Sequence, residues 1–62
     1  MKANMKIRMV LLESGIKFYE VARKMGCSES YFSRLMRTEF SDEYRDRVMM
    51  AINEIENERG SV

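Results

Sequence analysis

The apolar residues of this 62-residue chain recur at the spacing of helices and not of strands. Ile7, Val10 and Leu11 make the first repeat, and Asn4 stands where an N-cap would open it, so the pattern predicts a helix over about 4–13. Gly15 breaks that repeat and can take the positive φ often needed just past a helix end. Phe18, Val21, Ala22 and Met25 then fall at i, i+3, i+4 and i+7, a one-sided stripe that predicts a second helix over 18–25, closed by Gly26. Ser28 is the next N-cap candidate, and Glu29 follows in the positive end of a third helix over 28–36. Phe32, Leu35 and Met36 are its inward residues. Thr38 to Phe40 reads as a short connection anchored by Phe40. Ser41 caps a fourth helix with Asp42 and Glu43 in its first turn, and Tyr44, Val48, Ala51, Ile52 and Ile55 carry its apolar face to about 57. Gly60 and Ser61 are expected to form a loose end. No stretch alternates with period two for long enough to make a strand.

Helices this short cannot each bury a stripe alone, so they must pack around one centre. The expected fold is all-α, a small bundle of four helices in one domain spanning 1–62, with no proline and no linker-like stretch between Met5 and Glu58. A chain of this length buries only about 60% of its unfolded surface, so the core should be thin. Phe18, Phe32, Phe40 and Tyr44 are expected to dominate it, because large rings contribute most to a small core. The seven methionines read as adaptable filler and not as metal or sulfur chemistry.

The segment from Phe18 to Arg37 is narrower than two helices in sequence. Ala22 is small where two crossing helices approach, Gly26 permits the turn, Cys27 fills a small apolar pocket beside it, and Ser28 starts the next helix. Val21, Phe32 and Leu35 close the angle between the helices. Such a helix-turn-helix holds its second helix proud of the surface, where it can enter a major groove about 12 Å wide.

The stretch Glu20-Val21-Ala22-Arg23-Lys24-Met25-Gly26-Cys27-Ser28-Glu29-Ser30-Tyr31-Phe32-Ser33-Arg34 resembles the small phage-repressor-like regulators of Cro/C1 type, especially the short versions carried by bacterial phages and mobile elements. The lead-in from Lys6-Ile7-Arg8 to Gly15-Ile16 and the segment Phe40-Ser41-Asp42-Glu43 extend the likeness from about Asn4 to Ile55. The resemblance implies a lambda-repressor-like DNA-binding domain, a transcriptional regulator of double-stranded DNA acting as a homodimer, and a phage or mobile-element repressor as its role. Two positions depart from the family pattern. Members often carry Gln at the first position of the second helix, where it touches phosphate or supports a base-reading side chain, and this chain has Phe18. Many also have a fifth helix, for which the acidic end from Glu54 to Arg59 leaves little room.

Net charge is only +1, but its distribution is uneven. Residues 1–37 hold eight Lys/Arg against three Glu, or +5, and residues 38–62 hold three Arg against seven acids, or −4. The first part suits a polyanion, and the second is expected to face water or a basic partner. Early on the third helix, Glu29, Ser30, Tyr31, Ser33 and Arg34 are the base-reading candidates, with Arg34 suited to a guanine edge or a flanking phosphate. Lys17, Arg23, Lys24, Ser28 and Arg37 are the candidates for phosphate. Self-association is expected through the late fourth helix, by Met49, Met50 or Ile55.

Other chemistry is excluded or left as a rival. Cys27 is the only cysteine and histidine is absent, which removes an internal disulfide and the usual zinc sets. Cys27 reads as a core residue and not a redox sensor. No nucleophile–base pair is evident, so no enzyme and no cofactor is expected. Asp42, Glu43 and Asp46 lack the spacing of a calcium loop. The apolar runs are too short for a bilayer and no signal-peptide core develops, so a cytoplasmic location is expected. The rivals are a protein-interaction accessory factor or antirepressor using the acidic fourth helix, and a DNA-binding accessory of recombination or excision.

Overall fold

In the computed structural model, which describes residues 2–60, four helices follow one another: α1 (Met5–Ser14), α2 (Phe18–Met25), α3 (Glu29–Leu35) and α4 (Asp42–Gly60). Local chemistry sets most of their ends. Gly15 and Gly26 take φ of 70° and 81°. After Gly15 the N–H of Ile16 bonds Leu11 O at 3.1 Å, and after Gly26 the N–H of Cys27 bonds Ala22 O at 2.9 Å. Each glycine thus closes its helix by a reverse bond that satisfies a terminal carbonyl. At the other ends, Ser28 Oγ accepts from Tyr31 N at 3.1 Å and Ser41 Oγ accepts from Tyr44 N at 3.2 Å.

The core is largely aliphatic. Ile7, Leu11, Ile16, Val21, Ala22, Met36, Val48, Ala51, Ile52 and Ile55 surround one wholly enclosed ring, Phe32. The other three rings are half-buried and wall it in series, Phe18 edge-on to Phe32 at 5.6 Å, Phe40 at 6.3 Å from Phe32, and Tyr44 at 4.8 Å from Phe40. The aromatic residues therefore bound the core and do not dominate it. On α3 the inward edge is Phe32 and Met36, with Leu35 only half-buried.

Two features differ from the local reading of the sequence. Asn4 is not a side-chain cap for α1. It adopts a left-handed conformation (φ 60°) and is 3% exposed. Its Nδ2 donates to Met36 O and Thr38 O, each at 3.0 Å, and its Oδ1 accepts from Phe40 N at 2.8 Å. A single amide thereby ties the start of α1 to the connection that follows α3, and Arg8 reinforces it by donating to the same Met36 carbonyl at 3.0 Å.

The second difference is the far end of α4, which stays helical to Gly60; Ser61, expected with it as a loose end, lies outside the described residues. Its acids do not simply face water. Glu54 and Glu58 pair with Lys24 of α2, Arg59 pairs with Glu20, and Glu56 accepts from Ser14 of α1. Ile55 is buried and Met49 packs against the core, so of the three residues expected to mediate self-association only Met50 is an exposed side chain.

Candidate nucleic-acid interface

α3 is seven residues long and its placement follows from what flanks it. The Gly26 turn directs the chain out of α2, Ser28 opens α3, and Phe18 braces Phe32 edge-on from the first residue of α2. Phe18 therefore spends its side chain on orienting α3, where a polar residue would reach outward. Beyond the helix, the Asn4 amide holds the carbonyls of Met36 and Thr38.

With Phe32 and Met36 pointing inward, the 100° step of an α-helix turns Ser30 and Arg34 directly outward. Ser30, Tyr31 and Arg34 are exposed and Ser33 is half-buried, so Ser30 and Arg34 form the middle of the outward face with Ser33 and Tyr31 on its two flanks, and Glu29 is exposed as the first residue of the helix. Arg37 lies one further turn along the same side, exposed, in the turn after α3. Tyr31 sits at the edge, over a shallow cleft shared with Leu35, Phe40 and Tyr44. Burial raises the pKa of the Tyr44 phenol in that cleft. Of the turn and core residues, Val21, Ala22 and Phe32 are buried, while Cys27 and Leu35 are half-buried.

The basic residues divide by whether the protein already occupies them. Arg8 donates to backbone carbonyls, Arg45 pairs with Asp42, and Arg59 pairs with Glu20. Lys24 is held by Glu58 and Glu54, and the hydrogen bond to Glu58 is the main cause that raises its pKa. In contrast, Lys17, Arg34 and Arg37 enter none of the ion pairs found among the described residues, and Arg23 only lies over the Tyr19 ring at 6.0 Å. Of the phosphate candidates, Lys17, Arg23, Ser28 and Arg37 are exposed, Ser28 with its Oγ accepting from Tyr31 N, whereas Lys24 is paired with carboxylates of α4.

An open groove joins these parts. Lys17 and Tyr19 at the start of α2 line it together with Arg8, Leu12 and Glu29 at the start of α3. Tyr19 was not singled out by the sequence. Its exposed ring, four residues before Arg23 on α2, is the sort of i, i+4 aromatic–arginine pair that a search for side-chain platforms would have found.

At the start of α2, Glu20 Oε2 accepts from Lys17 N at 2.8 Å. That bond, followed by its contact with Arg59, holds the Glu20 carboxyl below the usual carboxylate range. It also satisfies an N-terminal amide that would otherwise be unpaired.

Among the described residues no helix is long and apolar enough to cross a membrane. No curated protein and no solved structure matches the chain significantly. A family model does match, over residues 6–55, which takes in α1, the α2–turn–α3 unit with its outward polar face, and α4 as far as Ile55. With that span of match laid over this arrangement of helices, the chain belongs to the family of Cro/C1-type helix-turn-helix DNA-binding domains, and its role is DNA-binding and regulatory.

Proposed function

We propose that this chain is a sequence-specific reader of double-stranded DNA that represses transcription for a phage or mobile element, acting in the cytoplasm as two copies on one site. α3 enters the major groove, Arg34 and Ser30 meet base edges with Glu29, Tyr31 and Ser33 beside them, and Lys17, Arg23, Ser28 and Arg37 grip phosphate. The observation that carries this reading is that Arg34 and Arg37, on the outward side of α3 and the turn after it, enter none of the ion pairs found among the described residues, whereas Lys24, Arg45 and Arg59 are each held by a carboxylate. Unoccupied guanidinium groups need no internal bond broken before they meet an anion. The acidic α4, which an antirepressor would use as its docking face, has Glu54, Glu56 and Glu58 engaged by α1 and α2.

Selection of bound duplexes from a random pool defines a preferred site, and titration against that site and a scrambled one tests the assignment. Arg34→Ala should lose about 10- to 100-fold in affinity for the preferred site, the magnitude of one bidentate base contact, with helicity intact. Lys24→Ala should lose less than Arg37→Ala, because Lys24 must first leave its carboxylates. Affinity should also fall steeply with salt as counterions are released. Absence of binding to any duplex at low salt overturns the reading. A reporter promoter carrying the selected site separates repression from a role in recombination.

A further inference from the structure

α1 carries apolar side chains on two opposite sides. Ile7 and Leu11 point into the core, while Met5, Met9 and Leu12 are 43%, 55% and 83% exposed. These three recur at i, i+4 and i+7, which makes a straight seam along the helix. Among the described residues the remaining large exposed apolar side chains, Tyr19, Tyr31 and Met50, lie one to a helix and form no seam. Single exposed apolar residues are ordinary, but an aligned set with charge along its border is the pattern by which helices pair.

The borders of this seam are unlike each other. Lys6 and Glu13 lie along one side, seven residues and so about 10 Å apart, too far to pair within one helix. Neither takes part in any ion pair found among the described residues. On the other side Arg8 is turned away, its guanidinium committed to Ala3 O and Met36 O, and Gly15 has no side chain.

We propose that a second copy of this chain docks on α1, helix against helix in the antiparallel direction. In that register Met9 of each copy packs on Leu12 of the other, and Lys6 of each copy lies beside Glu13 of the other. Both ion pairs come from one two-fold axis, as a self-complementary interface requires. In the parallel direction the border with Lys6 and Glu13 would meet the border with Arg8 and Gly15, where α1 itself offers Lys6 no acid and offers Glu13 only an arginine already bonded to Ala3 O and Met36 O. Charge therefore selects both the occupant and its direction.

A ten-residue helix offers less than the roughly 800 Å² per partner of a stable interface. The pair is accordingly weak in free solution and strengthened when two copies share one duplex. The purpose of the pairing rests on the two-copy reading above, whereas its geometry does not depend on DNA.

Sedimentation equilibrium of the full chain without DNA, from about 10 μM to about 1 mM, tests it directly. The expected result is a reversible monomer–dimer equilibrium with its midpoint in that range. Met9→Glu should raise the dimer Kd by at least about tenfold with unchanged circular dichroism, since it sets an acid at the centre of the seam. Lys6→Glu and Glu13→Lys should each weaken the dimer by about two- to fivefold, and the double variant K6E/E13K should restore it. A chain monomeric up to the highest concentration leaves the seam to some other protein and overturns the proposal. So does a dimer indifferent to Met9→Glu, or one that the double variant fails to restore. Titration of the Met9→Glu protein on duplex DNA keeps the two failures apart: DNA binding without a dimer in the native chain removes only this inference, and a dimer without DNA binding removes only the DNA reading.

Discussion

The two ends of the α2–turn–α3 unit are joined to the rest of the protein by opposite kinds of chemistry. Beyond α3, a neutral buried amide does the work: Asn4 satisfies two acceptors and a donor on the Met36–Phe40 connection, and no buried side-chain polar atom among the described residues lacks a partner. Along α2, the joint to the end of α4 is made of exposed ions, Lys24 with Glu54 and Glu58, and Arg59 with Glu20. Salt screens the second joint and leaves the first untouched. A polyanion would also compete for Lys24 and Arg59, but it has nothing to offer Asn4. The end of the unit that carries Arg34 and Arg37 is thus the one held by groups that neither salt nor phosphate can displace.

Replacing Asn4 should have the largest effect and would break the comparison at its stronger side. Asn4→Ala leaves Thr38 O and Phe40 N without their partners and puts alanine in a left-handed conformation. An unpaired buried group costs about 1–3 kcal/mol and these two are part-buried, so with the left-handed backbone, itself about 1–2 kcal/mol, a total of about 2–4 kcal/mol is expected. In a domain this small that corresponds to a fall in Tm of about 10 °C or more. Asn4→Asp keeps the Phe40 bond but sets a carboxylate oxygen against two carbonyls, and its loss should be partly recovered once acid protonates it. Thermal melts of both variants check this, and an Asn4→Ala protein that melts with the wild type removes the amide as a fastening.

Why the sequence shows one joint and hides the other follows from the range of the forces. The Gly15 and Gly26 closures and the Ser28 and Ser41 caps act within five residues of themselves, so composition and spacing are enough to find them. The stripes of α2 and α4 are legible for the same reason, as is the outward set around Arg34. Asn4 reads as an ordinary cap because its true partners lie 32 to 36 residues away. The charge asymmetry between the two parts of the chain is visible, yet its partner turns out to lie within the chain: the acids of α4 meet Lys24, and Arg59 meets Glu20. Met36 outranking Leu35 in burial is likewise a matter of how α3 is rotated by Phe18 and Asn4, which a seven-residue helix cannot encode in its own periodicity.

Arg8 offers a test of intermediate size. Its guanidinium gives a second donor to Met36 O and one to Ala3 O at 2.8 Å, from a half-buried position. Arg8→Met keeps the apolar stem and removes those donors, with an expected loss of about 1 kcal/mol because Asn4 still satisfies Met36 O. In the background of Asn4→Ala the same change should cost more, since Met36 O then loses its last side-chain donor. A double-mutant cycle measures the difference, and strict additivity would mean that the two side chains do not share one carbonyl.

The smallest effect is expected at the ionic joint, and it carries a sign. Glu20 is held below its ordinary pKa near 4.5 first by the Lys17 N–H and then by Arg59, so its contribution is complete above that value and is lost as pH falls through the lower folded value. Lys24 is raised above 10.5 chiefly by its hydrogen bond to Glu58, so its contribution is complete below 10.5 and is lost as pH rises through the higher folded value. The joint should therefore loosen at both extremes of pH, and the exposed pairs should weaken in high salt, while the Asn4 amide does neither. Hydrogen exchange reads the two joints separately, because Lys17 N donates to Glu20 and Phe40 N donates to Asn4. On acidification the Lys17 amide should lose protection before the Phe40 amide, and Glu20→Gln, whose carbonyl still accepts that bond but does not titrate, should remove the pH dependence at Lys17. Loss of protection at both amides together, at the same pH, would mean that the two ends unfold as one and that the chemical difference between them has no separate consequence.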